Sequence, residues 1–220
     1  EWHPLAIKYR RVWLRHQHPI RKVVCFWVAT SFVEYFFVQP YHWGNNPYRT
    51  LPDITSPDDF FISTNSQEIV KRKVRYIASR WGYHPNLAIF QITNELDQSG
   101  ISIGDFKGKK RRHIENWNSV IAHLIKEIAP FKLITNSVAN FNNTSVFKDK
   151  IYDIGVYHYY TKDKEATYQH ANITNYLKQL IGKPIFSGEL GTSSISDCKG
   201  SNGDIPHNPV VHNSVWSTSF

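Results

Sequence analysis

The chain has 220 residues, of which 41% are hydrophobic, 20% charged and 15% aromatic, a globular profile that excludes disordered, collagen-like and low-complexity classes. The net charge of +8 is concentrated in two runs: residues 1–24, with Lys8, Arg10, Arg11, Arg15, Arg21 and Lys22 against Glu1, and residues 107–112, KGKKRR. The rest of the chain is close to neutral, so each run reads as a solvated face rather than the footprint of a nucleic-acid-binding domain. Two cysteines, Cys25 and Cys198, with no CxxC spacing, exclude a disulfide scaffold and argue against structural zinc.

The lack of methionine and the start at Glu1 are expected of a processed product or a fragment, with any export signal out of view. Residues 1–33 form a basic N-terminal segment, rich in His and Trp and poorly periodic. The longest apolar run, Val23–Val38, is interrupted by Thr30, Ser31 and Glu34. It falls short of the roughly 20 apolar residues that span a membrane and predicts a buried strand or strand pair. Within it, Glu34–Gln39 (EYFFVQ) is aromatic and β-branched, ends at Pro40 and reads as a strand.

Residues 40–65 predict a long loop. Asn65, with Glu68 three residues on, predicts a capped helix whose face is Val70, Val74, Ile77 and Trp81, ended by Gly82 and Pro85. Leu87–Ile92 predicts a buried strand that stops at Thr93-Asn94-Glu95. Ile114, Trp117, Ile121, Leu124 and Ile128 line a second helix, closed by Pro130. Phe131–Thr135 and Ile151–Tyr157 predict further strands. Tyr176, Leu177 and Leu180 mark a helix ended by Gly182. Pro184–Ser187 predicts a short strand leading to Gly188-Glu189, Gly/Ser/Asp-rich chain follows over 192–208, and Val210–Phe220 reads as the start of another helix.

Strands alternating with helices imply an α/β protein with a parallel sheet, open or closed into a barrel, and ligands bind at the C-terminal ends of such strands. Glu95 and Glu189 both emerge there. They are 94 residues apart, about three units at roughly 31 residues each in an eightfold barrel. Strands three units apart face each other across a closed barrel's mouth, so the two carboxylates could flank one bond. That suits glycoside cleavage: one carboxyl protonates the leaving oxygen while the other attacks the anomeric carbon or activates water. The acid must hold its proton near neutral pH, which calls for burial or a charged partner. A lone glutamate at a strand end is more often a loop or capping residue, and the spacing alone leaves metal-binding and ion-pair roles open. Read alone, His158 is a satisfied core or loop histidine and Tyr160 a packing residue.

Five ordered segments carry a family resemblance. Arg75–Asp97 (RYIASRWGYHPNLAIFQITNELD) resembles the fourth-strand region of the clan A glycoside hydrolases, of the family 5 cellulase and β-mannanase type. Lys183–Gly191 (KPIFSGELG) resembles their seventh strand, Asp153–Tyr160 (DIGVYHYY) their sixth, His42–Tyr48 (HWGNNPY) the loop after their third, and Val211–Phe220 the helix before their eighth. The resemblance runs from about residue 34 to the end.

It implies that residues 34–220 are a partial (β/α)8 TIM-barrel domain of about strands 3 to 7 and the following helix. Glu95 would be the general acid/base and Glu189 the nucleophile of a retaining double displacement. Asn94 would bind the sugar 2-OH. Tyr160 would donate to Glu189, and His158 would sit near the acid/base and the sugar. His42 and Trp43 would shape a sugar subsite, although a loop Trp is as often a lid packed on the core. The implied substrate is a β-linked oligo- or polysaccharide, a β-mannan or β-glucan.

The resemblance implies no metal, cofactor, nucleic acid or membrane partner, a monomeric full-length protein, and by analogy a secreted or periplasmic location. The expected first two units and the eighth strand are missing from the pattern. The chain is therefore expected to be a truncated catalytic domain, unstable or inactive alone, because an open sheet leaves unpaired edges. Two other readings stand beside this one: a non-catalytic carbohydrate-binding relative or inactive fragment, and a basic nucleic-acid-binding protein.

Overall fold

The computed structural model describes residues 26–29, 43–44, 46–85, 87–99, 106–161 and 166–191. The basic segment 1–24, the strand expected at Glu34–Gln39, His42, the chain over 192–208 and the helix expected at Val210–Phe220 lie outside the described residues. Five strands run through the rest: β1 (Phe26–Ala29), β2 (Leu87–Gln91), β3 (Leu133–Thr135), β4 (Gly155–Tyr160) and β5 (Ile185–Gly191). All pair in parallel. β1 joins β2 through Trp27 opposite Ile89, and β2 joins β3 through Gln91 opposite Thr135. β4 joins β5.

The two sheets are stitched at Val138, which bridges Tyr157 in parallel. Its N–H donates to the Val156 carbonyl at 3.1 Å and its carbonyl accepts from the His158 N–H at 2.9 Å. The strands therefore follow one another in chain order with no reversal, unlike a doubly wound sheet. β1 lies within the apolar run Val23–Val38, for which the sequence predicts a buried strand or strand pair.

Among the described residues three long helices connect the strands: α1 (Thr64–Trp81), α2 (Gly108–Ile128) and α3 (Ala166–Ile181). α1 buries Val70, Val74 and Ile77 of the expected face, and its fourth member, Trp81, is only partly buried. Its cap is Ser63, not Asn65: the Ser63 hydroxyl accepts from the Ser66 N–H at 3.0 Å. Asp53 explains the shift. Its carboxylate accepts from Ser63 Oγ at 2.7 Å and from Asn65 Nδ2 at 3.0 Å, so the Asn65 amide is spent outside the helix. Glu68 pairs with Lys71 at 2.9 Å instead of closing a capping box.

α2 buries Ile114, Trp117, Ile121 and Ile125 and begins earlier than expected, taking in the basic run. α3 ends at Gly182, whose φ of +65° is the left-handed stop that glycine favours. In the expected loop over 40–65, two short 3-10 turns, Pro47–Thr50 and Pro57–Phe61, fold back on the helices. Phe60 and Phe61 pack on Trp117 at 5.2 and 5.7 Å between ring centroids. The core joins this cluster to Phe90, Ile92, Leu96 and Ile134. Each fully buried side chain of this size contributes about 1.5–3 kcal/mol, which fixes the strand ends relative to the helices. Among the described residues no helix is long and apolar enough to cross a membrane.

Candidate active site

The chain leaves β2 through Thr93-Asn94-Glu95-Leu96-Asp97 and leaves β3 through Asn136-Ser137-Val138-Ala139-Asn140, and the two polar exits are laced together. The Thr93 N–H donates to Asn136 Oδ1 at 2.8 Å. The Ser137 N–H donates to the Thr93 carbonyl at 3.1 Å, and the Leu96 N–H to the Ser137 carbonyl at 2.9 Å. Asp97 is fully buried. Its carboxylate accepts from the Ala139 N–H at 2.8 Å, the Asn140 N–H at 2.9 Å and Asn143 Nδ2 at 2.9 Å. Bonds to a carboxylate are roughly twice as strong as neutral ones, so Asp97 locks the loop after β3 against the loop that carries Glu95.

Glu95 is the one non-glycine residue with positive φ among the described residues, at φ 47° and ψ 58°. For a residue with a Cβ this left-handed conformation costs about 1–2 kcal/mol. Lacing on both sides holds it there. Its Oε1 lies 2.7 Å from His158 Nδ1 on β4. The imidazole is 2% exposed and the Glu95 side chain 18% exposed, so water competes little for this contact. Nδ1 donates when Glu95 is ionised and accepts when Glu95 carries the proton, so the pair accommodates both states.

Glu189 projects from β5, and its Oε2 lies 3.6 Å from the same His158 Nδ1, with the side chain 42% exposed. Tyr160, two residues along β4 from His158 and therefore on the same face, donates its hydroxyl to Glu189 Oε2. One ligand atom each from Glu95, His158 and Glu189 lie within 4.8 Å of one another. The two carboxylates are thus side by side, with the imidazole touching one and close to the other.

Such a trio could also hold a metal ion. At roughly 2.0–2.2 Å per bond, tetrahedral ligand atoms stand about 3.4 Å apart. The 2.7 Å contact between His158 and Glu95 fits a shared proton better than a shared ion.

Asn94 Oδ1 accepts from Gln91 Nε2 at 2.9 Å and from the Ser137 hydroxyl at 3.0 Å. That fixes the amide orientation and leaves Nδ2, a donor, without a partner among the described residues. Five of the expected site residues, Asn94, Glu95, His158, Tyr160 and Glu189, therefore gather at one end of the sheet. Trp43 is half-buried and packs against the core. His42 lies outside the described residues. Sequence reasoning passed over Gln91, Asn136, Ser137 and Asp97. The signal was present for two of them, since Asn136 and Ser137 directly follow β3, as Asn94 and Glu95 closely follow β2.

No protein-family model matches the chain, and no curated protein matches it. Solved structures do. A β-D-glucuronidase from Dictyoglomus thermophilum aligns with a TM-score of 0.53 at 18% identity, over 71% of this chain and 27% of that one. A Bifidobacterium dentium β-glucuronidase complexed with coumarin-3-O-glucuronide aligns with a TM-score of 0.53 at 17% identity, over 71% of this chain and 26% of that one. The chain spans about a quarter of the length of each. Both are glycoside hydrolases, but neither is of the cellulase or mannanase type that the sequence resembles. At this identity the likeness is one of fold, and the described part of the chain shares the fold of a segment of these glycoside hydrolases.

Proposed function

We propose that the chain carries the catalytic centre of a retaining β-glycoside hydrolase, with Glu189 as nucleophile and Glu95 as general acid/base. The observation that carries this reading is the approach of the two carboxylates, with ligand atoms of Glu95, His158 and Glu189 all within 4.8 Å of one another. A retaining enzyme needs its carboxyl groups about 5–5.5 Å apart, whereas an inverting one needs about 6.5–9.5 Å to leave room for water.

In the first displacement Glu189 attacks the anomeric carbon and forms a glycosyl ester. The bond from that carbon to the leaving oxygen breaks, and the oxygen takes the proton from Glu95. In the second, water gives a proton to the Glu95 carboxylate while its oxygen attacks the anomeric carbon, and Glu189 leaves as a carboxylate. Tyr160 holds the attacking carboxylate in place. His158 keeps Glu95 oriented through both protonation states. The Asn94 Nδ2 is offered to the sugar 2-OH, a contact that strengthens in the transition state.

We further propose that β1 to β5 form an arc of a (β/α)8 barrel, since parallel strands in chain order are what such an arc requires. The proposed substrate is a β-mannan or β-glucan, met outside the cytoplasm. A β-glucuronide is a second reading, favoured by the glucuronidases that share the fold.

The test is turnover of β-mannoside, β-glucoside and β-glucuronide substrates, with proton NMR following the anomer released first. Release of the β-anomer is expected. Glu95→Gln and Glu189→Gln are each expected to lower turnover by roughly 10³-fold or more while sugar binding persists. Binding without turnover in the parent protein would instead support a carbohydrate-binding relative. Unchanged turnover in either variant would overturn the assignment.

A further inference from the structure

The Ser137 hydroxyl is fully buried and sits where the two polar exits meet. It lies 2.8 Å from the Glu95 backbone nitrogen, 3.1 Å from Gln91 Nε2 and 3.0 Å from Asn94 Oδ1. A hydroxyl has one hydrogen to give and two lone pairs to accept with. The Glu95 N–H and the Gln91 amide nitrogen can only donate, so the hydroxyl accepts from both. Its own hydrogen is left for Asn94 Oδ1. Every hydrogen-bonding capacity of the group is used, and each use bears on the proposed centre.

The bond from the Glu95 N–H anchors the one residue held in the left-handed region. The bond to Asn94 Oδ1 sets which end of that amide is presented as a donor. Gln91, on β2, donates to both Ser137 Oγ and Asn94 Oδ1 and closes the triangle. Replacing the hydroxyl with hydrogen would leave the Glu95 N–H without its partner. It would also remove one of the two donors that orient Asn94.

We propose that Ser137 is a positioning residue, which holds Glu95 in its left-handed conformation and Asn94 with its donor end free, so that both act on the same sugar. The proposal rests on the reading of Glu95 as acid/base. Loss of Ser137 then misplaces the proton donor, and the damage falls most heavily on substrates whose leaving group needs a proton.

The experiment compares the intact protein with Ser137→Ala and Ser137→Thr. It measures kcat/KM on two β-glycosides of one sugar, one with a second sugar as leaving group and one with dinitrophenolate, which departs without protonation. Ser137→Ala is expected to lose at least about tenfold more on the first substrate than on the second, within the range that small misplacements of catalytic groups produce. Ser137→Thr, which keeps the hydroxyl, is expected to recover most of the difference. Equal losses on both substrates, or no loss, would overturn the proposal.

A crystal structure of Ser137→Ala reads the geometry without activity. Glu95 leaving the left-handed region, with its contact to His158 broken, supports the proposal. An unchanged Glu95 contradicts it. Should Ser137→Ala not fold, Ser137→Cys takes its place in both measurements, because a thiol fills similar space but hydrogen-bonds weakly. If the parent protein cleaves none of the glycosides, the structural measurement alone decides the positioning role.

Discussion

His158 on β4 is the register partner of Glu189 on β5, and Gly188, between Ser187 and Glu189, has no partner of its own. The extra residue is a bulge of the kind that re-aims a side chain next to a site. It places Glu189 opposite His158 rather than one position away. A Cβ at Gly188 would stand 2.6 Å from Val156 Cγ1 and 3.1 Å from His158 Nε2, so the Val156 methyl, with the ring beside it, fills the space that a methyl would need. Gly188→Ala is expected to lower stability by about 1–3 kcal/mol, the usual cost of overpacking, and to lower turnover by displacing His158. Thermal unfolding and kcat measured together check this. A variant normal in both would show that the close packing has no consequence.

Tyr160 gives Glu189 a hydrogen bond from a ring that is itself 41% exposed. Tyr160→Phe removes the donor and little buried contact. Hydrogen bonds to charged groups contribute about 1.5–3 kcal/mol, so turnover should fall by roughly 10- to 100-fold. The melting temperature should move little. A large loss of melting temperature with normal turnover would mean that the tyrosine serves packing instead.

His170 on α3 is fully buried against Tyr159, with 5.1 Å between ring centroids, and among the described residues neither ring nitrogen has a hydrogen-bond partner. Burial holds its pKa below the ordinary histidine value. The fold therefore prefers the neutral ring. Its contribution to stability is complete above the unfolded-state value of about 6.5 and is lost as pH falls from there through the depressed folded-state value. Melting temperatures between pH 8 and pH 5 should drop less for His170→Leu than for the parent. Parallel curves would remove His170 as the source of the acid sensitivity.

The cap at Ser63 is equally open to test. Ser63→Ala removes the acceptor for the Ser66 N–H and the donor to Asp53. It is expected to cost about 1 kcal/mol, within the 0.5–2 kcal/mol range of such replacements. The hydrogen bonds from Ser63 and Asn65 also hold the Asp53 carboxyl below its ordinary pKa, so in the variant that carboxyl should titrate at higher pH. Chemical denaturation and NMR titration of Asp53 check the two effects, and a variant unchanged in both would restore Asn65 as the cap.

Much of this arrangement was legible because strand ends and carboxylates leave a mark. Leu87–Ile92 announced β2 by its apolar run, and the polar stop after it pointed at Asn94 and Glu95. Resemblance supplied the proposed roles of His158 and Tyr160, which, read alone, are a satisfied core or loop histidine and a packing residue. The misses have physical causes. The expected strand over Pro184–Ser187 stopped at glycine, but the bulge at Gly188 lets β5 continue through Glu189 to Gly191. β4 was expected over Ile151–Tyr157 and instead spans Gly155–Tyr160, because Asp153 turns back to accept from the Ile134 N–H at 2.7 Å before pairing begins. The cap moved from Asn65 because Asp53, distant in sequence, recruits its amide. Ser137 was missed although it follows β3 closely, because a strand-end position does not show which polar residue there matters, and only its three partners single it out.

The most direct test of the central claim is to trap the ester on Glu189. A 2-deoxy-2-fluoro β-glycoside with a good leaving group reacts once with a retaining nucleophile, and the electron-poor sugar slows release. Peptide mass spectrometry of the treated protein should find the fluorosugar on Glu189, with none formed in Glu189→Gln. Label on a different side chain, or a substrate turned over with inversion and no label at all, would contradict the account.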